Sequence, residues 1–498
     1  MKYVIGIDLG TSGTKTVLFD ASGRQGFEAE INYPLYQPHN GWAEQDALDW
    51  RNACFDTIRQ VIKGSGVDRK DIVGIGISGQ MQGLVMLDEA DEVLRRSIIW
   101  ADQRTGEECR DIEEIVGRER LMDITLSPAL TGFTLSKILW VRKHEPEIYK
   151  RCRQILLPKD YLRYCLTGDF ATEVSDASGT QLLDIKNRDW SEELLTLLDI
   201  DPALLPRVYE SPEITGYISR EAAKQTGLST STAVVGGAGD NAAAAVGTGV
   251  VREGRAFTTI GTSGVVFAHT DDLKADPQGR IHSFCCAVPG AWHVMGVTQS
   301  AGLSLQWLRN NFYPEDQEYE KINQDIAQTP VGAERLLFTP YLMGDRTPHL
   351  DPLSRGAFVG LSAMHTKKHM ARAVMEGVCF ALKESQTLLT ELGVCANVMS
   401  LCGGGAKSPV FRQMLADVYR LPCNLPLMTN SAALGVAILA AVGCGMYSSV
   451  PEACDEILKF KEAEKPDEKN AETYRQYYEV YRGIYPALKE TYLAMSKL

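Results

Sequence analysis

Residues 3–20 read YVIGIDLGTSGTKTVLFD, and residues 257–267 read FTTIGTSGVVF. In the first stretch an apolar run rich in β-branched residues reaches Asp8 and breaks at Gly10-Thr11-Ser12-Gly13. It then resumes through Lys15, Val17, Leu18 and Phe19. A strand, a tight glycine turn and a second strand form the pattern of a β-hairpin. The second stretch repeats that pattern around Gly261-Thr262-Ser263-Gly264, 251 positions further on. A four-residue string recurs by chance with ease, but the same string in the same strand-turn-strand setting does so far less often. The two copies argue for a duplicated architecture with one ligand held between them.

Working outward, 71–87 (DIVGIGISGQMQGLVML) reads as another pair of apolar strands around a glycine turn. Helical periodicity marks 107–121, 134–150, 191–199 and 367–392, while 233–235 and 398–401 are short strands. Strands interleaved with helices predict mixed α/β domains. From Ala463 onward the chain is strongly charged and reads as surface helices. A chain of 498 residues is too long for one ordinary core. The boundary is expected near residue 248, after the alanine-rich 242–246 and before the second hairpin, giving domains 1–248 and 249–498. No Ser/Pro-rich linker marks it, so the two should be tightly coupled.

Composition is that of a globular protein, with 44% hydrophobic and 23% charged residues. A net charge of −13 without basic runs gives no electrostatic footprint for nucleic acid. Any phosphate must therefore be held by local devices: glycine turns, helix N-termini and a metal ion. The 12 cysteines are too irregularly spaced for a disulfide framework and predict free thiols in a reducing compartment. The 8 histidines show no paired metal-ligand spacing, so no structural metal is expected. Met1 leads straight into a strand, which predicts a cytoplasmic protein without a signal peptide. No charge occurs from Leu421 to Pro451, yet its apolar heart, 432–442, is too short to span a bilayer. A buried helix capped by Ser431 or Asn430 is expected there, and no membrane contact.

The turns carry the chemistry. Gly10 and Gly13 permit close backbone approach and positive φ, so successive N–H groups can hold phosphate oxygens. Thr11, Ser12 and Thr14 add hydroxyls and Lys15 a positive charge; Gly261, Thr262 and Ser263 offer the same at the second turn. No GxxxxGK[ST] string occurs, so neither turn is a Walker P-loop. Asp8 ends the strand beside the first turn. A carboxylate aimed at a phosphate makes electrostatic sense with Mg²⁺ between them, held mostly through water; the plainer reading is an Asp that caps the turn. In GGAGDNAAAAVG (236–247), Asp240 and Asn241 stand where a helix should start. They are either an N-cap or a carboxylate placed to accept a proton from an attacking hydroxyl. Gly403-Gly404-Gly405-Ala406 follows a strand and precedes a helix from about Ser408, a turn against which an adenine ring could slide. Gln80, Met81, Gln82 and Gly83, with Trp100 and Asp102, suit a neutral polyhydroxylated ligand, Trp100 offering its face to sugar carbons. Each of these also has a purely structural reading.

Taken in order, these motifs resemble the FGGY family of carbohydrate kinases over nearly the whole chain. GFTLSKILWVRKH (132–144) and GAFVGLSAMHTKKHMARAVMEG (356–377) are similar to its two signatures. LLPKDYLRYCLTGDFATEVSDASGT (156–180), GGAGDNAAAAVG and HSFCCAVPGAWHVM (282–295) resemble its xylulokinase branch. The resemblance implies an α/β protein of two ribonuclease-H-like, actin-like ATPase domains, with a nucleotide and sugar cleft between them. It implies phosphorylation of D-xylulose at O5 by ATP with Mg²⁺, Asp240 as general base and Asp8 associated with the metal. Met81, Gln82, Asp240 and Asn241 would face the sugar, while both GTSG turns and 403–406 would face the nucleotide. The expected partner is a small sugar, with a homodimer left open. One departure stands out. The branch has Gln-Met-His-Gly where this chain has Gln82 in place of His, and an amide cannot carry charge.

Three other readings compete. One is a kinase of the same family for another ketose or polyol. A second is an actin-like nucleotide switch, which would want a peptide-binding module or polymerising loops. A third is a sugar-responsive repressor, which would need a helix-turn-helix.

Overall fold

The computed structural model describes residues 1–313 and 319–498. Its first hairpin is β1 (Tyr3–Leu9) with β2 (Gly13–Asp20), extended by β3 (Gln25–Asn32) into an antiparallel meander. β4 (Ile72–Gly79) pairs parallel with β1. β5 (Ile214–Tyr217), β6 (Ala233–Val235) and β7 (Ala238–Gly239) complete a seven-stranded sheet of order β5-β6-β4-β1-β2-β3, with β7 on β4. The second hairpin, β8 (Arg255–Ile260) and β9 (Gly264–Thr270), nucleates an equivalent sheet. With β10 (His282–Cys285), β11 (Trp292–Thr298), β12 (Val398–Cys402), β13 (Cys423–Pro426) and β14 (Phe460–Glu464), its order is β10-β11-β9-β8-β12-β13-β14. β12 lies parallel to β8 as β4 does to β1, so the duplication extends beyond the turns.

Helix α1 (Ala47–Ser65) covers one face of the first sheet. Asp46 caps it by accepting from the Leu48 N–H, and Gly66 ends it in the left-handed region at φ 65°. Its apolar stripe, Trp50, Cys54, Ile58 and Val61, packs on Ile5, Ile7 and Ile75. The other face is covered by α2 (Asp240–Gly247) and α6 (Ser431–Gly443), whose buried residues share one cluster with Val4, Val17 and Phe19. The second core gathers on α4 (Lys367–Glu391), with α3 (Gly302–Phe312) and α5 (Pro409–Tyr419) beside it. Thus α6, which follows the second sheet's β13 in the chain, docks on the first sheet. The fit is close: a Cβ on Gly435 would lie 1.9 Å from the Ala243 carbonyl oxygen of α2. One on Gly6 of β1 would lie 1.9 Å from that of Ala433.

Several local expectations are corrected. The strands within 71–87 do not pair with each other: β4 joins the sheet, whereas Val85–Leu87 pairs with Gln154–Leu156. Gly117, at φ 84°, divides the helix read over 107–121, and Pro146 starts a new helix inside 134–150. The Ser431–Gly443 helix is buried and Asn430 stands at its N-cap position, but the Asn430 side chain makes no capping bond and instead donates to Glu28 at 2.7 Å. No helix among the described residues is long and apolar enough to cross a membrane. The C-terminal helices Glu468–Tyr481 and Ile484–Met495 are less superficial than their charge suggests. Tyr474, Tyr478 and Tyr481 recur at helical spacing and bury themselves in the second core. All 12 cysteines are free thiols.

Candidate active site

The first turn closes where the Gly10 N–H donates to the Gly13 carbonyl at 2.9 Å, and the second where Gly261 donates to Ser263 at 3.0 Å. None of the four turn glycines has positive φ, contrary to the expectation from sequence. Gly13 is required for proximity instead: a Cβ there would lie 2.5 Å from Asn32 Oδ1 and 2.8 Å from the Ile31 carbonyl oxygen. Thr11 is half-buried and Ser12 exposed at the tip. Two neighbours are turned away from it. Thr16 faces α1, bonding Thr57 at 2.8 Å, and Thr14, two residues earlier on the strand, is likewise fully buried. The Lys15 ammonium pairs with Glu30 at 3.0 Å and reaches Asn430 at 3.4 Å. The expected phosphate roles of Thr14 and Lys15 are therefore not what their side chains do in this structure.

The second turn opens on a cavity of about 680 Å³. Gly261 and Thr262 line one side and Gly404 and Gly405 another, so the structure brings together two motifs separated by some 140 residues of sequence. Ser263 is not on the wall; Ala406 is buried behind it, and Gly403, at φ 83°, lies against Ile260. Gln306, Arg309, Glu320 and Asn323 are among its other polar walls, none of them signalled by any sequence motif.

The first turn is tied to the residues read as sugar-facing. Trp100 Nε1 donates to Thr11 Oγ1 at 3.0 Å and leaves the indole 43% exposed. Gln45 donates to the Thr11 carbonyl at 2.7 Å, and Gln80 donates to Gln45 Oε1 at 2.7 Å. Gln80 is thereby buried and occupied, a brace for the turn rather than an open ligand group. Asp102 is similarly consumed: it accepts from Arg104 at 2.7 and 2.9 Å, and Arg104 stacks on Trp42. Met81 is buried against the start of α2, where a Cβ on Gly239 would lie 2.9 Å from its sulfur. Gln82 stands in the left-handed region at φ 69°, which is uncommon for a residue with a side chain. Its carbonyl is held there by Lys137 Nζ at 2.8 Å and Thr134 Oγ1 at 3.1 Å. Lys137 is fully buried, and burial pushes its ammonium down to about 7.

Asp240 is the first residue of α2 and does not cap it; the N-cap position belongs to Gly239, whose N–H donates to Ser175 Oγ at 3.1 Å. Asp240 Oδ1 accepts from the Asn241 N–H at 2.7 Å and its amide at 2.9 Å, leaving Oδ2 without a donor among the described residues. Burial, then the charge of Asp8, pushes the Asp240 carboxyl up to about 7. Burial also raises Asp8, with the neighbouring Ser78 hydroxyl and Lys15 opposing. Under this pair lies a charge cluster in which Lys159 meets Asp160 at 2.7 Å and Glu173 at 3.3 Å. Glu173 in turn accepts from Ser175 and Asp176 N–H groups, fixing the turn that supports Gly239. Lys159, Glu173 and Ser175 carried no signal beyond their place in a family-like stretch.

Two equivalent sheets, each nucleated by a hairpin with a glycine turn, with Asp8 beside one turn and Asp240 at the start of α2, form the actin-like ATPase fold. Within that fold class the chain belongs to the FGGY family of carbohydrate kinases, and is an ATP-dependent sugar kinase. The family's N-terminal domain matches residues 3–247 and its C-terminal domain residues 256–444. The chain is 39% identical to the xylulose kinase of Bacillus subtilis over 99% of both chains. It superposes with a TM-score of 0.94 on the ligand-bound xylulose kinase from Lactobacillus acidophilus, at 29% identity over 99% of this chain and 100% of that one. Gluconate kinase from the same organism gives the same TM-score and identity, over 99% of both chains.

Proposed function

We propose that the protein transfers the γ-phosphoryl group of ATP to O5 of D-xylulose, with Asp240 as general base. The observation that carries the mechanism is Asp240 itself: a half-buried carboxyl near 7, with one oxygen held by Asn241 and the other available. A base with its pKa near the working pH is well matched to accept a hydroxyl proton. As the sugar oxygen forms its bond to phosphorus, the bond to ADP breaks and the hydroxyl proton passes to Asp240 Oδ2. The N–H groups of the two turns hold phosphate oxygens, and closure of domains 1–248 and 249–498 keeps water from the phosphoryl group.

Mg²⁺ suits this site, because two carboxylates close enough for Asp8 to raise Asp240 are hard oxygen donors that a cation would relieve. Asp8 would hold it, largely through water. When bound it supplies neutralisation of charge on the β- and γ-phosphates. The sugar is supported by the xylulose kinase relatives. Gln82 favours a second reading, a kinase of this family for another ketose or polyol, since its neutral amide stands where that branch has His.

A coupled ADP-release assay over ketoses, aldoses and polyols tests the substrate. Asp240→Ala tests the base: activity should fall by about 10²–10⁴ with ATP binding near normal. A folded variant within a few-fold of wild type would remove Asp240 from the chemistry.

A further inference from the structure

Loop 341–352 of the second half, YLMGDRTPHLDP, reaches the first half's sugar-facing residues and carries an arginine that no motif reading singled out. Thr347 pins the loop to β11: its N–H donates to the Val297 carbonyl, its hydroxyl accepts from the Val297 N–H, both at 3.1 Å, and donates to the Arg280 carbonyl at 2.8 Å. Arg346, one residue earlier, is thereby held in a fixed place. A Cβ on Gly132 would lie 3.3 Å from Arg346 Nη2, 3.6 Å from Gln82 Oε1 and 3.2 Å from the Trp100 carbonyl oxygen. Three polar groups from both halves thus converge on one small space that the missing side chain of Gly132 leaves open.

Arg346 is half-buried, and among the described residues its guanidinium makes no ion pair. Burial lowers its pKa with no carboxylate opposing. The charged or titratable groups around it give no counter-ion. His282 is buried and kept neutral, and Lys137 is spent on the Gln82 and Gly132 carbonyls at 2.8 and 2.7 Å. Asp345, next in the chain, turns back to accept from the His349 N–H at 3.1 Å. A guanidinium drawn partly out of water without a partner among the described residues calls for an acceptor from outside the chain.

We propose that Arg346 is a further sugar-binding residue, reaching from the second half to donate to a carbonyl or hydroxyl oxygen of the ligand beside Gln82. The sugar is then gripped by both halves, with Gln82 accepting from a neighbouring hydroxyl. This rests on the reading of the Gln82 loop as the sugar site.

Arg346→Met and Arg346→Lys, with Gly132→Ala as an independent variant that fills the space, should be assayed with each substrate varied in turn. KM should rise about ten- to a hundredfold for the sugar in Arg346→Met and stay within twofold for ATP. Arg346→Lys should recover part of the loss, and Gly132→Ala, which keeps both polar side chains, should raise sugar KM by filling the space between them. Titrating the preferred sugar against intrinsic tryptophan fluorescence without ATP should show the same weakening. The sugar used for KM is whichever the wild type phosphorylates best, so failure of the xylulose reading leaves this test intact. A folded Arg346→Met with sugar KM within twofold of wild type overturns the proposal. So does a loss of Tm in all three variants with KM for sugar and ATP moving together.

Discussion

Asp240→Asn should make the ligand-free protein more stable at pH 8 while removing its activity. The folded chain holds this carboxyl at about 7, against an ordinary value of 3.8, because burial and the charge of Asp8 disfavour the anion. A difference of that size is worth about 4 kcal/mol if none of it is screened. Asp240 is partly exposed, so water offsets much of this, and about 1–2 kcal/mol is expected. As pH rises the unfolded chain loses this proton first, near 4, and the folded chain only near 7. Ionisation therefore weakens the fold progressively across that interval and by the full amount above it. Asparagine keeps an acceptor for the Asn241 N–H, now found at 2.7 Å, and carries no charge. At about 2–4 °C per kcal/mol for a domain of this size, Tm should rise by roughly 2–8 °C at pH 8. The gain should shrink toward nothing as pH is lowered to 4. Differential scanning calorimetry of both proteins without ligands, across that range, reads it directly. A lower Tm for Asp240→Asn at pH 8, or a gain independent of pH, would refute the claim that a strained charge sits at the start of α2.

The same group predicts that kcat/KM rises with pH as Asp240 loses its proton, at or below about 7 because a bound cation offsets the charge of Asp8; a profile that falls as pH is raised from 5 to 8 contradicts it. Gln82→Ala should lower kcat/KM for the preferred sugar by about five- to a hundredfold through unpaired hydroxyls, with KM for ATP little changed. Gln82→His should retain substantial xylulose activity, whereas a tenfold wild-type preference for another sugar that this change shifts toward xylulose would favour the second reading. Gly435→Ala should cost about 3 kcal/mol, because its methyl would meet the Ala243 carbonyl oxygen at 1.9 Å; an unchanged Tm would show that the helices can part freely. Small-angle scattering should record a smaller radius of gyration with sugar and a non-hydrolysable ATP analogue together, and an unchanged radius would count against closure.

The hairpins were legible because a glycine turn between β-branched runs is a local signal, read without knowing what packs around it. Long-range placement was not. Nothing near Trp100 in the chain announces its bond to Thr11, 89 residues away, nor does Gln45 announce its bond to Gln80. The turn glycines suggest close approach and positive φ; only the first describes Gly13, and what approaches it is β3, a neighbour visible only in the folded sheet. Lys15 beside a turn suggested a phosphate, yet alternation along β2 delivers its ammonium to Glu30 on the next strand. The raised pKa of Asp240 has no local signal either, because it comes from burial and from the charge of Asp8, more than 230 residues away in the chain. Arg346 sits in a segment without periodicity, so only the meeting of the two halves reveals it.

The docking of α6 on the first sheet has a consequence for synthesis. α2 leaves the ribosome 196 residues ahead of the end of α6, yet the face of β1 and β4 that α6 covers is apolar. At about 5–20 residues per second, that face waits roughly 10–40 s for its cover. Throughout that interval the nascent N-terminal half is an incomplete body with an exposed patch, a natural client for a holding chaperone. A chain cut after residue 248 would keep that patch for good, and the released C-terminal half would carry an orphaned apolar helix.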